Sequence, residues 1–226
     1  MAWCQLTRLL RNRFGLLALL GWSLFILASG FIGGGRDATT VALPALMLSF
    51  IAPFLLQADF RGDLDHLEKL KSLPLQPLAV AAGELAVPVA LTTAAQFAFL
   101  FVVQAVLGGV EAIPAWAALY VPPVNLVIFG TQNLLFLLFP ARMASATAGD
   151  LQHFGRVMVL FFFELVALFV LLAVAGACGF AALFLFRSQV ALVVGSLGVL
   201  LVMALGSVPA VAWAWKRFDV ALDTPA

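Results

Sequence analysis

The sequence is poor in the side chains that carry most enzyme chemistry. His66 and His153 are the only histidines; they stand in separate polar stretches, and no H-E-x-x-H or paired-cysteine spacing accompanies them. A zinc site or a histidine-based hydrolytic triad is therefore poorly supported, and both histidines read as structural or solvated. Cys4 and Cys178 are the only cysteines. The topology derived below puts them on opposite membrane sides, so they are not expected to pair and read as small apolar side chains. None of the three lysines, Lys69, Lys71 and Lys216, follows a glycine, so the phosphate-binding loop G-x-x-x-x-G-K-[ST] is missing and the chain does not hydrolyse ATP by that route. Charge itself is scarce. Only 10% of the 226 residues are Asp, Glu, Lys or Arg, against about 25% in soluble domains, and 64% are hydrophobic, with a mean hydropathy of +1.12. This is the composition of an integral membrane protein with room for one helical bundle. No internal repeat of 20 to 50 residues is visible, nor an inverted repeat of the kind secondary transporters carry.

The scarce charge is concentrated. Of 12 basic and 11 acidic residues, seven lie between Asp59 and Lys71: Asp59, Arg61, Asp63, Asp65, Glu68, Lys69 and Lys71. A formal charge at the bilayer centre costs roughly 2.5–3.5 kcal/mol, so this segment lies outside the hydrocarbon. It reads as a short helix. Asp63 can cap its start, Asp65 and Glu68 fall in its early turns, and Lys69 and Lys71 follow near its end, as the helix dipole favours. Asp65 with Lys69 and Glu68 with Lys71 stand at pairing distance. Leu64, Leu67 and Leu70 recur on one face, and Pro74 disfavours helix at Leu73. The segment 59–77 thus carries a capped, amphipathic, charged helix of about two turns, hung between two membrane spans.

Residues 1–13 set Trp3, Leu6, Leu9 and Leu10 against Gln5, Arg8, Arg11 and Arg13, the pattern of an arm lying along the membrane surface. Apolar runs, uncharged except for Glu164 in the fifth, then predict spans at 14–32, 39–57, 85–107, 115–135, 157–178 and 190–213, each near the ~20 residues needed to cross a ~30 Å core. The first run has no small-residue cleavage pattern at its end and reads as a retained helix. Pro44, Pro53 and Pro122-Pro123 mark expected kinks or interruptions. The third span is expected to begin near Leu85, with the preceding turns at the interface. Residues 143–156 read as a polar loop, and 179–189 as an apolar connection. Trp213, Trp215, Lys216 and Arg217 form an aromatic and basic anchor at the end of the sixth span. The fold class is accordingly all-α and polytopic: six transmembrane helices, an N-terminal interfacial helix and a charged helix between spans two and three.

Six spans place both termini on one side. That side then holds Arg8, Arg11, Arg13, Arg61, Lys69, Lys71, Arg142, Arg156, Lys216 and Arg217, whereas Arg36 and Arg187 fall on the other. The bias assigns both termini and the charged helix to the cytoplasm.

Within the spans, Glu164 is the most provocative residue, because a carboxylate in an apolar span usually faces a cavity or a partner. It reads either as a substrate or proton site or as a side chain near the interface paired with Arg156. Glu84 is expected at the interface. Gln96, Gln104, Asn125, Gln132 and Asn133 are placed to hydrogen-bond between helices. The 21 phenylalanines are mostly lipid-facing or packing bulk, and Phe161-Phe162-Phe163 only hints at a lipidic path.

Between the second and third spans run Arg61-Gly62, Leu64, Leu67, Leu70, Leu73-Pro74-Leu75 and Gly83-Glu84-Leu85. In this plan the chain resembles the membrane subunits of type-2 ATP-binding-cassette (ABC) exporters. The stretch from Asn133 to Arg142, with Gly149-Asp150-Leu151-Gln152 and Gly155-Arg156, is similar to loops in a bacterial group of such exporters. The likeness covers most of the chain in topology but about 30 residues in motif. It departs from the family at 179–189, which is short for the re-entrant outer helices many exporters carry. The resemblance implies that 59–77 is a coupling helix docking into a nucleotide-binding subunit through Asp59, Arg61, Asp63, Leu64, Asp65, Leu67, Glu68, Lys69, Leu70 and Lys71. It implies a bacterial cytoplasmic membrane, a separate ATPase partner holding ATP and magnesium, a second permease copy, identical or related, and no cofactor on this chain; nucleic acid is not an expected partner. ATP binding would close the partner subunits, and the coupling helices would pass that motion to the spans. The residues leave rivals open: a proton-coupled carrier or a membrane-embedded enzyme using Glu164 or Glu84, and a purely structural subunit.

Overall fold

The computed structural model describes residues 48–52, 67–107, 115–139 and 151–219, together with Leu17, Gly21 and Phe60. Every regular element among them is helical. A short helix, α1 (Leu67–Ser72), precedes four long ones: α2 (Pro77–Leu107), α3 (Ala115–Leu138), α4 (Leu151–Phe186) and α5 (Gln189–Arg217). All four long helices are long and apolar enough to cross a membrane. Leu17, Gly21 and residues 48–52 are helical as well and fall within the first two expected spans. The remainder of those spans and the arm 1–13 lie outside the described residues, so four of the six expected spans are represented by a helix of sufficient length and apolarity.

Local chemistry sets most boundaries. α1 stops at Ser72, whose hydroxyl donates back to the Lys69 carbonyl at 2.7 Å, and Pro74 follows in extended chain. Pro77 opens α2 at the first helical position, where a missing N–H costs nothing and the fixed φ is already helical. The third apolar helix therefore begins at Pro77 rather than near Leu85, and its first turns are covered by protein: Val80, Ala81, Glu84 and Leu85 are all buried. Pro122 and Pro123 do not interrupt α3. They remove the donors that would reach the Ala118 and Leu119 carbonyls, and the helix runs on to Leu138.

The fifth apolar helix differs most from expectation. It starts at Leu151, inside the stretch read as a polar loop, and continues through 179–186, read as a connection, for 36 residues or about 54 Å. A lone glycine costs a helix only about 1 kcal/mol, and Gly179 has a packing use. A Cβ there would come within 2.7 Å of Ser196 Cβ and 2.9 Å of the Leu192 carbonyl, so the bare backbone lets α4 and α5 close on each other. The connection proper is Arg187 and Ser188. Arg187 takes the left-handed conformation, φ 48°, and donates its N–H to the Leu183 carbonyl at 2.8 Å, which ends α4 and folds α5 back along it.

α3 is the most enclosed of the long helices, and its composition explains why: Asn125, Thr131, Gln132 and Asn133 cannot face lipid without partners and are buried among α2, α4 and α5. At Gly130 the backbone of α3 lies against α5, where a Cβ would meet Ser207 Cβ at 2.6 Å. α4 and α5 instead turn Phe162, Phe163, Phe169, Phe184, Val202 and Leu205 outward, as lipid-facing helices do. The antiparallel α4–α5 hairpin leaves the start of α4 and the end of α5 at one end of the bundle. One apolar core there joins α1 to the start of α2, the end of α3 and the end of α5. A second core, of Val124, Val127, Ile128, Leu168, Ala175, Leu200 and Ala204, joins α3, α4 and α5.

Candidate functional site

The charged segment is fastened to the bundle through its apolar side. Leu67 is 0% exposed, and Leu70 packs against the same core of Leu85, Phe129, Phe136 and Val211. Burying a leucine contributes roughly 1.5–3 kcal/mol, so this face of α1 is committed to the chain's own interior. The Lys71 ammonium donates to the Trp215 carbonyl near the end of α5 and lies 4.7 Å from the centroid of the Trp215 ring. A cation there meets both the negative pole of the helix dipole and the electron-rich face of the indole. The other side of the segment is held too. Phe60 stacks on Trp215 with ring centroids 4.9 Å apart and 13° between planes, and the Phe60 N–H donates to Asn133 Oδ1 at 3.2 Å. Asn133 Nδ2 donates to the Phe129 carbonyl at 2.9 Å, which fixes the amide for that role. Phe218 closes the seat beside Phe136, with centroids 6.4 Å apart.

What α1 offers outward is therefore charge. Glu68, Lys69 and Ser72 are exposed, as are Leu73 and Leu75 in the chain leading to α2. Of the residues expected to dock a partner, Leu67 is turned into the core instead, and Leu70 and Lys71 are half-buried against α5 and its neighbours. Glu68 and Lys69 remain accessible. Asp59, Arg61, Asp63, Leu64 and Asp65, with the cap assigned to Asp63, lie outside the described residues. Asn133, Phe60, Trp215 and Phe218 form the seat, and sequence reasoning assigned the seat to none of them. The tryptophan was legible only as an interfacial anchor, because its partner lies 144 positions away.

The two carboxylates are both enclosed by protein. Glu84, read as interfacial, is 0% exposed on the inner face of α2, and Glu164 is 4% exposed on α4. The reading of Glu164 as paired with Arg156 concerns a side chain outside the described residues. Along α2 the buried face continues through Thr92 and Gln96. Here the sequence's interhelical amides do meet: Asn125 Nδ2 donates to Gln96 Oε1 at 2.7 Å and to Thr93 Oγ1 at 3.0 Å, and Gln96 Nε2 donates to Ser49 Oγ at 2.6 Å. Gln132 is buried on α3, while the side chain of Gln104 is outside the described residues. Among the described residues no group of three His, Cys, Asp or Glu is placed to hold a metal ion. Near the α4–α5 turn, the Tyr120 hydroxyl hydrogen-bonds with Ser196 and donates to the Val193 carbonyl at 3.2 Å, tying α3 to α5.

Comparison with protein-family models, with curated proteins and with solved structures finds no match to this chain.

Proposed function

We propose that this chain is a membrane subunit of an ABC-type exporter, with α1 as its contact for a separate ATPase. The observation that carries the reading is the two-sided placement of α1: Glu68 and Lys69 face outward, while Leu67 and Lys71 are fixed to the end of α5. A coupling element shifts an equilibrium only if its contacts differ between two states. A helix seated on α2, α3 and α5 at once cannot be displaced without disturbing three long helices, so pressure applied to its charged edge reaches the bundle. On this reading the end of the bundle that bears α1 is cytoplasmic, the pathway lies between two permease copies, and the chain works mechanically rather than chemically. Contact with the partner is electrostatic at Glu68 and Lys69, aided by Leu73 and Leu75.

The test is co-purification of the protein from its native membrane, identification of any ATP-binding partner, and ATPase assay of the complex in lipid. The double charge reversal Glu68→Lys and Lys69→Glu touches only exposed side chains; it should leave the protein folded and lower transport-coupled ATPase activity about tenfold. Full activity in that variant, or transport by the purified chain alone, would overturn the proposal. A proton-coupled carrier is the second reading, favoured by the burial of the Glu84 carboxylate among the helices. It requires transport that follows pH without nucleotide and that Glu84→Gln abolishes.

A further inference from the structure

The interior of the bundle carries a hydrogen-bonding imbalance that the exporter reading does not use. Asn125 commits both N–H groups of its amide, to Thr93 and to Gln96, yet its Oδ1 has no hydrogen-bond partner. The Thr92 hydroxyl has none either, although a threonine within a helix can often turn its Oγ1 to a carbonyl of the preceding turn. Both side chains are 0% exposed. They belong to the same seam: Thr92 adjoins Thr93 in the chain and lies one helical turn from Gln96, the two α2 residues that Asn125 grips. Each unmatched buried polar atom costs about 1–3 kcal/mol. In a span there is no bulk solvent to relieve it.

The chemistry of the deficit selects the ligand. An amide oxygen can only accept, so whatever relieves Asn125 must donate. Pro88 on α2 and Pro122-Pro123 on α3 flank the seam, and none of them has a backbone N–H to donate. We infer that the α2–α3 seam at Thr92 and Asn125 is a binding site for resident water, which donates to Asn125 Oδ1 and hydrogen-bonds with the Thr92 hydroxyl. Water is neutral, small, able to donate, and one of the groups that satisfy polar atoms left without partners in membrane helices. The site lies between the proline positions of the two helices, so an exchangeable hydrogen bond there supplements the direct ones from Asn125 to Thr93 and Gln96. This inference is independent of which partner α1 meets.

Asn133 supplies an internal control, since it is equally buried but engaged through both its Oδ1 and its Nδ2. In water-edited solid-state NMR of the full chain in lipid, labelled with 13C,15N-asparagine, the Asn125 side-chain amide should receive water magnetisation several-fold faster than that of Asn133. The near-isosteric Thr92→Val variant should lower the melting temperature by about 2–4 °C, because a bound water loses a partner. If the seam is dry, the same substitution removes an unmatched hydroxyl and raises it. An Asn125 signal as slow as that of Asn133, or a Thr92→Val protein melting at or above the parent temperature, overturns the inference.

Discussion

Two leucine substitutions at one position separate fold from contact. Leu67 is fully enclosed in the core that joins α1 to α2, α3 and α5, so Leu67→Ala leaves a cavity there. Its expected cost is about 2–5 kcal/mol, the range for large-to-small changes in a packed core. Leu67→Asp adds the desolvation of a carboxylate and should prevent the segment from seating at all. Thermal unfolding in detergent, followed by tryptophan fluorescence, should rank the parent above Leu67→Ala and Leu67→Asp lowest. Loss of activity in Leu67→Asp would accordingly reflect a broken seat, not a lost partner contact. Equal stability of parent and Leu67→Ala would mean that the α1 core contributes nothing. The same logic limits what Lys71 can offer a partner: its ammonium is already engaged by the Trp215 carbonyl and ring, and a new acceptor would have to outcompete both.

At the scale of elements, the tightest constraint is the turn between α4 and α5. Arg187 holds φ 48°, a conformation that costs a residue with a Cβ roughly 1–2 kcal/mol and costs glycine far less. Arg187→Gly should therefore raise the melting temperature, by an amount corresponding to about 1 kcal/mol, and leave the turn's N–H bond to Leu183 in place. A lowered melting temperature would mean that the arginine side chain contributes more than its backbone strain costs. This turn also marks where sequence reading stopped being sufficient. Apolar runs of span length announced α2 to α5, because uncompensated charge is what a membrane span avoids, and Pro77 and Pro74 punctuate the chain as their geometry requires. Gly179 and Pro122-Pro123 read as breaks and are not, and Glu84, read as interfacial, is enclosed by protein. A glycine can permit close packing with Ser196, and a glutamate can be taken inside among helices; neither outcome is written in the local sequence. The periodicity of Leu64, Leu67 and Leu70 announced an apolar face for the charged segment but could not say what covers it. That depended on Trp215 and Phe218 arriving from the far end of the chain.

For the whole molecule, the decisive quantity is orientation. The start of α2, the end of α3 and the end of α5 gather around α1, and the turn at Arg187 and Ser188 lies at the opposite end of the α4–α5 hairpin. Lys69, Lys71, Lys216 and Arg217 stand at the α1 end, and Arg187 stands at the turn. Basic residues near span ends are retained in the cytoplasm, so the α1 end should face inward. In a background with Cys4→Ala and Cys178→Ala, single cysteines at the exposed positions Lys69 and Arg187 can report this directly. Intact cells treated with a membrane-impermeant maleimide should modify Arg187→Cys, and Lys69→Cys should react only after the membrane is opened. The reverse pattern would place Glu68 and Lys69 outside the cell, where no cytoplasmic ATPase can reach them. The coupling role would then be lost, even though the helical bundle, the seat of α1 and the hydrated seam would all stand, because none of those depends on which way the protein faces.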